Sequence, residues 1–307
     1  MTNRSDDFAD VTVIMPAYRA ASTIARALTS VADQTLKPRC VIVVDDGSPD
    51  DTFAVADACR SSMNGIDLLV IKQANAGPGA ARNRALGEAK TGYVAFLDAD
   101  DEWLAEKLAQ SMQYMFDGSY VMVAHDSVEI IGERTITLHC AQRYRDASAA
   151  PYDGLYRRGF IDTTTVVAKL AAVRAAGGFD ETLPNAQDFE LWLAMLAPKD
   201  ARFFVFDAIL SRYHRTAGSV MTHIERRRKC CMQIALRYAP ALRGHVRYPL
   251  PSLWFRSIAV HHEAYVAHRA VGNLPAALKT LVTLPFATAW ATLIYLFGGG
   301  QRRGRYL

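Results

Sequence analysis

Two acidic clusters, Asp45-Asp46 and Asp98-Ala99-Asp100-Asp101, hold the densest chemistry in this sequence. Carboxylates one residue apart at the end of an extended run can splay, one toward a ligand hydroxyl and the other toward a divalent cation. Hard oxygen donors of this kind select Mg2+ or Mn2+, and such an ion would act as Lewis acid and template for a phosphate-bearing group. An alcohol acceptor at such a site would also need a general base, since a hydroxyl is a weak nucleophile at neutral pH. Asp101, at the end of the second cluster, is read as a helix cap. Between the clusters, Asn75-Ala76-Gly77-Pro78-Gly79 makes a turn of small residues that admits a ligand to the backbone, and the helical pattern after it carries Arg82, Asn83 and Arg84.

The elements that must position these residues alternate in type. Short apolar runs at Val11–Met15, Val41–Val44, Leu68–Ile71 and Tyr93–Leu97 are separated by helical patterns at Ala20–Ala32, Asp51–Arg60 and Gly79–Glu88. Val- and Ile-rich runs without in/out alternation, each followed by a helix, predict a parallel sheet covered on both faces. Ligands of such sheets collect beyond the carboxyl ends of the strands. Pro16, Ala17 and Tyr18, then Asp45 to Ser48, then Asp98 to Asp101, all fall at those ends. From Ser119 the pattern turns to hairpin-like strands at Tyr120–Ala124 and Val128–Ile131, then to a polar Tyr- and Arg-rich loop over 141–160. A strand at Thr163–Ala168 and helices at Leu170–Ala175 and Asp188–Leu196 follow, with strands again at Arg202–Asp207 and Leu210–His214. After Met221 the chain reads as three helices, Glu225–Tyr238, Ser252–Ala270 and Leu274–Phe297.

The ordered set Val13-Ile14-Met15-Pro16-Ala17-Tyr18, Val44-Asp45-Asp46-Gly47-Ser48, Asn75 to Asn83, Phe96-Leu97-Asp98-Ala99-Asp100-Asp101 and Gln187-Asp188-Phe189-Glu190-Leu191-Trp192 resembles a family 2 inverting glycosyltransferase of the GT-A fold. The resemblance runs from Val11 to Ser219 and implies an α/β, Rossmann-like mixed sheet flanked by helices, with the C-terminal helical basic extension appended. It implies that Asp46 holds the nucleotide base, with Pro16, Ala17 and Tyr18 lining the same pocket and Arg82 facing the donor. Asp98 is expected near the ribose and beside the metal, Asp100 on the metal, Mn2+ or Mg2+, and Asp188 as catalytic base. Gly178, Phe179, Gln187 and Trp192 fall on the acceptor side, with helix packing the preferred role for Trp192. The family often has Glu-Asp where this chain has Gln187-Asp188, so an amide replaces the first acid. His214 and Arg215, ahead of Gly218-Ser219, resemble the loop that closes on the donor diphosphate.

The implied activity is metal-dependent hexosyl transfer from a nucleotide-diphospho-sugar, UDP-sugar favoured, to a saccharide or lipid-linked saccharide in cell-surface or exopolysaccharide synthesis. Two alternatives stand beside it. A nucleotidyltransferase making nucleotide sugars would open with a Gly-rich basic loop where Pro16-Ala17-Tyr18-Arg19 stands. A non-catalytic membrane-recruited scaffold with a degenerate donor site is disfavoured by the presence of Asp46, Asp98, Asp100 and Asp188.

Charge divides the chain. The net +4 of 307 residues conceals a basic tail, in which residues 222–307 hold 13 Lys and Arg against Glu225 and Glu263, while the preceding part is net acidic. The expected division is therefore a catalytic domain over 1–221, with a nucleotide-sugar half at 1–118 and an acceptor half at 119–221, followed by a helical, membrane-associating extension at 222–307. The tail's expected partner is an anionic membrane surface, with a polyanionic substrate as the alternative, rather than nucleic acid, since no aromatic and basic recognition motif accompanies it. Residues 280–301 carry no charge and are long enough to cross a bilayer. Pro285, four threonines, and Arg302, Arg303 and Arg305 on the wrong side for the positive-inside tendency favour a helix at the interface instead. Trp290, Tyr295 and Phe297 would anchor it, with Arg226–Lys229 as a second contact; packing on the core or on a second subunit is the competing reading. The polar start of the chain and five unpatterned cysteines place the expected location in the cytoplasm, peripheral on the inner membrane face.

Overall fold

The computed structural model describes residues 8–116, 118–214 and 223–298. Its frame is the predicted alternation: β1 (Phe8–Ala17), α1 (Ile24–Ala32), β2 (Lys37–Asp45), α2 (Thr52–Ala58), β3 (Asp67–Lys72), α3 (Pro78–Glu88) and β4 (Tyr93–Phe96). These four strands pair in parallel in the order β3-β2-β1-β4. Val11, Val13, Ile14 and Met15 of β1 are fully buried, as are Val41, Val43 and Val44 of β2. That two-sided burial is why these runs lack alternation.

The sheet then becomes mixed. After β5 (Glu102–Trp103) and α4 (Lys107–Met115) come β6 (Met122–Ile131), β7 (Arg134–Leu138), α5 (Cys140–Asp146), α6 (Pro151–Arg158), β8 (Val167–Lys169), α7 (Leu170–Ala175), α8 (Gln187–Leu196) and β9 (Phe203–His214). Beyond β4 the order continues β8-β6-β9-β5, with β7 on the flank of β6. Three expectations are corrected here. The two strands predicted between 120 and 131 are one strand, and its hairpin partner is β7. The two predicted between 202 and 214 are also one, interrupted by register shifts against β6 after His125 and Asp126. The stretch 141–160, expected as a loop, forms α5 and α6. Pro151 at the start of α6 suits a position whose amide has no helical partner, and Gly159 in the left-handed region ends it.

Among the described residues after β9 come the helices α9 (Ile224–Tyr238), α10 (Pro249–Ala270) and α11 (Leu274–Phe297). The chain forms two compact units rather than parting at a single point near 221. One comprises Met1–Gln142, Ile161–Phe179 and Ala201–Thr216, and contains the whole sheet; the other comprises Arg143–Phe160, Asp180–Asp200 and Ala217–Leu307. The interleaving has a packing cause. Within the second unit, α6 and α8 bury Leu155, Tyr156, Trp192 and Leu193, α9 and α10 bury Cys230, Ile234, Leu253 and Val260, and the Tyr156 hydroxyl donates to the Ala235 carbonyl of α9 at 2.8 Å.

Candidate functional site

The carboxyl ends of β1, β2 and β4 form one edge. Ala17 is paired with Asp45 and Ile14 with Phe96, the Asp46 amide donates to the Ala17 carbonyl at 2.8 Å, and the Leu97 amide donates to the Ile14 carbonyl at 3.2 Å. The residues following those strands are thereby delivered to a common edge. Ala17 is buried, Pro16 half-buried and Tyr18 exposed, its ring under the Arg19 guanidinium.

Asp46 organises the turn after β3. Its Oδ1 accepts from Gln73 Nε2 at 2.8 Å and the Ala76 amide at 2.9 Å, and its Oδ2 accepts from the Gly77 amide at 2.8 Å. Its carbonyl accepts from Asn75 Nδ2 at 2.9 Å. An ionised carboxylate offers about four acceptor positions, and the turn engages three of those of Asp46. Neighbouring Asp45 is fully buried, and its Oδ1 accepts from the Ser48 amide at 3.0 Å. Gly47 sits at φ +70°, where a Cβ would lie 2.8 Å from the Asn75 amide nitrogen, so this close approach requires glycine.

Helix α3 supplies the next layer. Arg82, 8% exposed, donates from a terminal guanidinium nitrogen to Asp98 Oδ1 at 2.5 Å and lies over the Phe179 ring, 5.3 Å from its centroid. Asn83 clamps the backbone of Phe179, donating from Nδ2 to its carbonyl at 2.9 Å and accepting its amide on Oδ1 at 2.8 Å. The clamp needs Gly178, at φ +69°, because a Cβ there would stand 2.6 Å from Asn83 Oδ1. Phe179 is buried edge-on against Phe96. Gly178 and Phe179, expected on the acceptor side, thus act in the first unit as the backing of Arg82.

The second acidic cluster follows β4. Asp98 and Asp100 are half-buried, and Arg26 of α1 donates to the Asp100 carbonyl at 2.5 Å. Asp101 is not a helix cap: no helix follows it directly, and its buried Oδ1 accepts the His214 amide at 2.9 Å. Burial, then the nearby charges of Asp98 and Asp100, push its carboxyl well above the usual range against the opposing His214 amide bond, and Asp162 adds to the rise. The antiparallel pairing of β5 with β9 brings His214 here, its Nε2 2.9 Å from Glu102 Oε1. Arg215, Gly218 and Ser219 lie outside the described residues.

This crowding of carboxylates fits a divalent cation. Among the described residues no group of three His, Cys, Asp or Glu side chains could by itself hold a metal ion; Mg2+ bound by one or two carboxylates takes phosphate oxygens and waters as its other ligands. Of the two acids expected on the metal, Asp98 has its Oδ1 engaged by Arg82.

In the second unit, Asp188 is the second residue of α8 and half-buried in a helix otherwise almost wholly buried, with its Oδ1 accepting the Phe189 amide at 2.8 Å. The positive end of the helix dipole favours a carboxylate there. Gln187 is buried, donating from Nε2 to the Leu183 carbonyl at 2.6 Å, and Trp192 is completely buried. Both belong to the packing of α8, and neither presents a face to a sugar. The sequence reading missed what holds this helix: Arg237 of α9 donates to Asp180 Oδ2 at 2.7 Å and Glu190 Oε1 at 2.9 Å, and the Tyr238 hydroxyl donates to the same Glu190 oxygen at 2.6 Å. It also missed Arg26, Gln73 and Glu102 in the first unit. Only Glu102 carried a signal, by directly following the acidic triplet.

Comparison with known proteins gives a consistent result. The family model described as Glycosyl transferase family 2 matches residues 12–176. The UDP-Glc:alpha-D-GlcNAc-diphosphoundecaprenol beta-1,3-glucosyltransferase WfgD of Escherichia coli is 30% identical over 219 residues, covering 71% of this chain and 81% of that protein. Residues 1–349 of S. aureus TarS, solved with UDP-GlcNAc, align at TM-score 0.65 and 19% identity over 91% of this chain and 81% of that one. The mannosyltransferase PcManGT from Pyrobaculum calidifontis, solved with GDP-Man and Mn2+, aligns at TM-score 0.63 and 21% identity over 94% and 87%.

Proposed function

The chain belongs to glycosyltransferase family 2, with the GT-A fold, and from that premise we propose that it moves a sugar from a UDP-sugar to a saccharide or lipid-linked saccharide with inversion at the transferred carbon. The observation that carries this reading is the edge at β1, β2 and β4, which gathers the Asp46 turn, the Arg82–Asp98 pair and Asp100. The UDP preference draws support from WfgD, named for UDP-Glc, and TarS, solved with UDP-GlcNAc; the lipid-linked acceptor draws support from WfgD, named for a diphosphoundecaprenol substrate.

In this reading Asp46 receives the base, and Pro16, Ala17 and Tyr18 line the pocket. Asp98, held by Arg82, orients the ribose. Asp100, with Asp98, would hold Mn2+ or Mg2+, which when bound neutralises the charge that develops on the departing nucleoside diphosphate. Asp188 takes the proton of the acceptor hydroxyl as that oxygen bonds to the anomeric carbon and the carbon–oxygen bond to the diphosphate breaks. His214 meets the diphosphate. The protein works at the cytoplasmic face of an anionic membrane as a peripheral enzyme.

A screen of nucleotide sugars for metal-dependent hydrolysis without acceptor tests the donor half. UDP-sugars are expected to be cleaved only with Mn2+ or Mg2+, and Asp100→Ala to abolish the signal; full activity in that variant refutes the metal assignment.

A further inference from the structure

Among the described residues, α11 is the one helix long and apolar enough to cross a membrane, and its packing decides how it meets one. Its inner face lies along α10. Ala277, Thr280 and Ala291 are buried, and Thr288 is paired with Ser257 at 2.8 Å. Thr292 accepts from Trp254 Nε1 at 2.9 Å, and the Tyr295 hydroxyl accepts from Arg243 at 3.0 Å. The opposite face is an unbroken apolar stripe. Leu278, Val282, Phe286, Trp290, Leu293 and Phe297 fall within about a third of the helix circumference. All are exposed, Phe286 at 73% and Phe297 at 82%. No charged residue interrupts the helix after Lys279. Soluble monomers rarely leave a contiguous patch of this kind uncovered.

The rim of the patch says what covers it. Arg243 and Arg247 are exposed at the end of the hairpin where Tyr295 sits, and Arg269 and Lys279 are exposed at the end where Gly272 turns α10 into α11. From Ala239 to Phe297, Glu263 is the single carboxylate. Basic groups at both ends of an apolar stripe, with Trp and Tyr beside them, are complementary to an anionic lipid surface.

The same contacts exclude crossing. The inner face of α10 carries Arg256, His261 and His268, all buried. Arg256 lies over the Phe189 ring at 4.5 Å, His261 is 3.2 Å from Arg228 and His268 is 3.0 Å from Glu225. A membrane-crossing α11 would either lose its whole interface with α10 or draw these groups into hydrocarbon, where each charge costs several kcal/mol.

We propose that the α10–α11 hairpin is an in-plane anchor. The outer stripe of α11, with Trp254 and Ile258 of α10, sits at the boundary of headgroups and acyl chains in an anionic phospholipid bilayer, with the axis of α11 parallel to the surface. This rests on the peripheral-membrane reading above and specifies its geometry. The test uses the full chain and vesicles of equal phosphatidylglycerol and phosphatidylcholine, compared with pure phosphatidylcholine. Wild type is expected to sediment with the anionic vesicles, and Phe286→Asp with Trp290→Asp to weaken binding at least about tenfold, with donor hydrolysis unchanged. With Cys40 and Cys59 replaced by serine, an environment-sensitive fluorophore on cysteine at Leu278, Phe286 or Leu293 is expected to report the same shallow depth at each position. A depth profile deepest at Phe286 overturns the in-plane geometry while leaving membrane attachment intact. Absence of binding to either vesicle overturns both, and a stable dimer that the double Asp variant dissociates, without vesicle binding, assigns the face to a second copy instead.

Discussion

Carboxylates are concentrated in two places, and the fold treats them differently. In the second unit Asp180 and Glu190 converge on one buried guanidinium, that of Arg237. Burial alone would raise the Asp180 carboxyl, yet hydrogen bonds from Thr182 and Arg237 bring it below its ordinary range. In the first unit Asp98 is held by Arg82, but Asp101 is pushed well above the ordinary range by burial and by Asp98 and Asp100. One cluster is balanced by the chain itself; in the other, carboxylates crowd one another at a strand edge, so that Asp101 holds its proton more tightly. Balanced acids fix architecture, while the crowded acids at the strand edge are what the proposed metal-assisted reading draws on.

The contrast can be tested in order of expected effect. Asp188→Asn, beside the balanced cluster but outside it, is expected to lower the transfer rate about 10²- to 10⁴-fold while the affinity for UDP, measured by calorimetry, stays unchanged. Equal loss of UDP binding would remove Asp188 from the role of base. Arg237→Met is expected to destabilise the fold by about 3–5 kcal/mol, because it strands two buried acids; urea unfolding measures this, and Asp180→Asn with Glu190→Gln added should restore part of the loss. In the first unit Gly47→Ala is expected to cost about 1–3 kcal/mol through left-handed backbone strain, with the steric conflict at Asn75 adding to it. Arg82→Met should instead spare stability and raise the donor KM roughly tenfold, as a charged hydrogen bond to Asp98 is lost.

The smallest effect is a pH dependence. Asp180 binds its proton less tightly in the folded than in the unfolded chain, so its stabilisation is present above the unfolded pKa of about 4 and is lost as pH falls through the lower folded value. Urea midpoints at pH 6 and pH 3 are therefore expected to differ less in Asp180→Asn than in wild type. An undiminished difference would move the acid sensitivity elsewhere.

The sheet edge was readable from the chain because its signals are local: apolar runs of strand length, each ending in Asp, Pro or Gly chemistry. Asp46, Asp98 and Asp100 all lie where those runs end. What escaped depended on distant partners. Nothing near Asp101 announces that the amide of His214 will reach it, and nothing near Glu190 announces Arg237. The predicted break in β6 fell at His125-Asp126-Ser127, polar residues that suggest a turn locally but lie within a continuous strand, and that in β9 at Ala208-Ile209; both lie at an irregular stretch of the strands' mutual pairing. For α5 and α6, the mixture of Tyr and Arg hid short helices whose apolar sides are completed by other parts of the sequence. Trp192 is the opposite case: helix packing was the preferred reading of this aromatic residue near a candidate base, and its side chain is completely buried.

The turn held by Asp46 has a kinetic consequence. Gln73, Ala76 and Gly77 are tied to its carboxylate by the chain's own hydrogen bonds, so under the proposed reading, in which Asp46 receives the base, little chain entropy would be surrendered on association. Discrimination among donors at this position then comes from rejecting a base of the wrong shape, not from a segment closing around the right one, and capture should proceed at the pace of encounter.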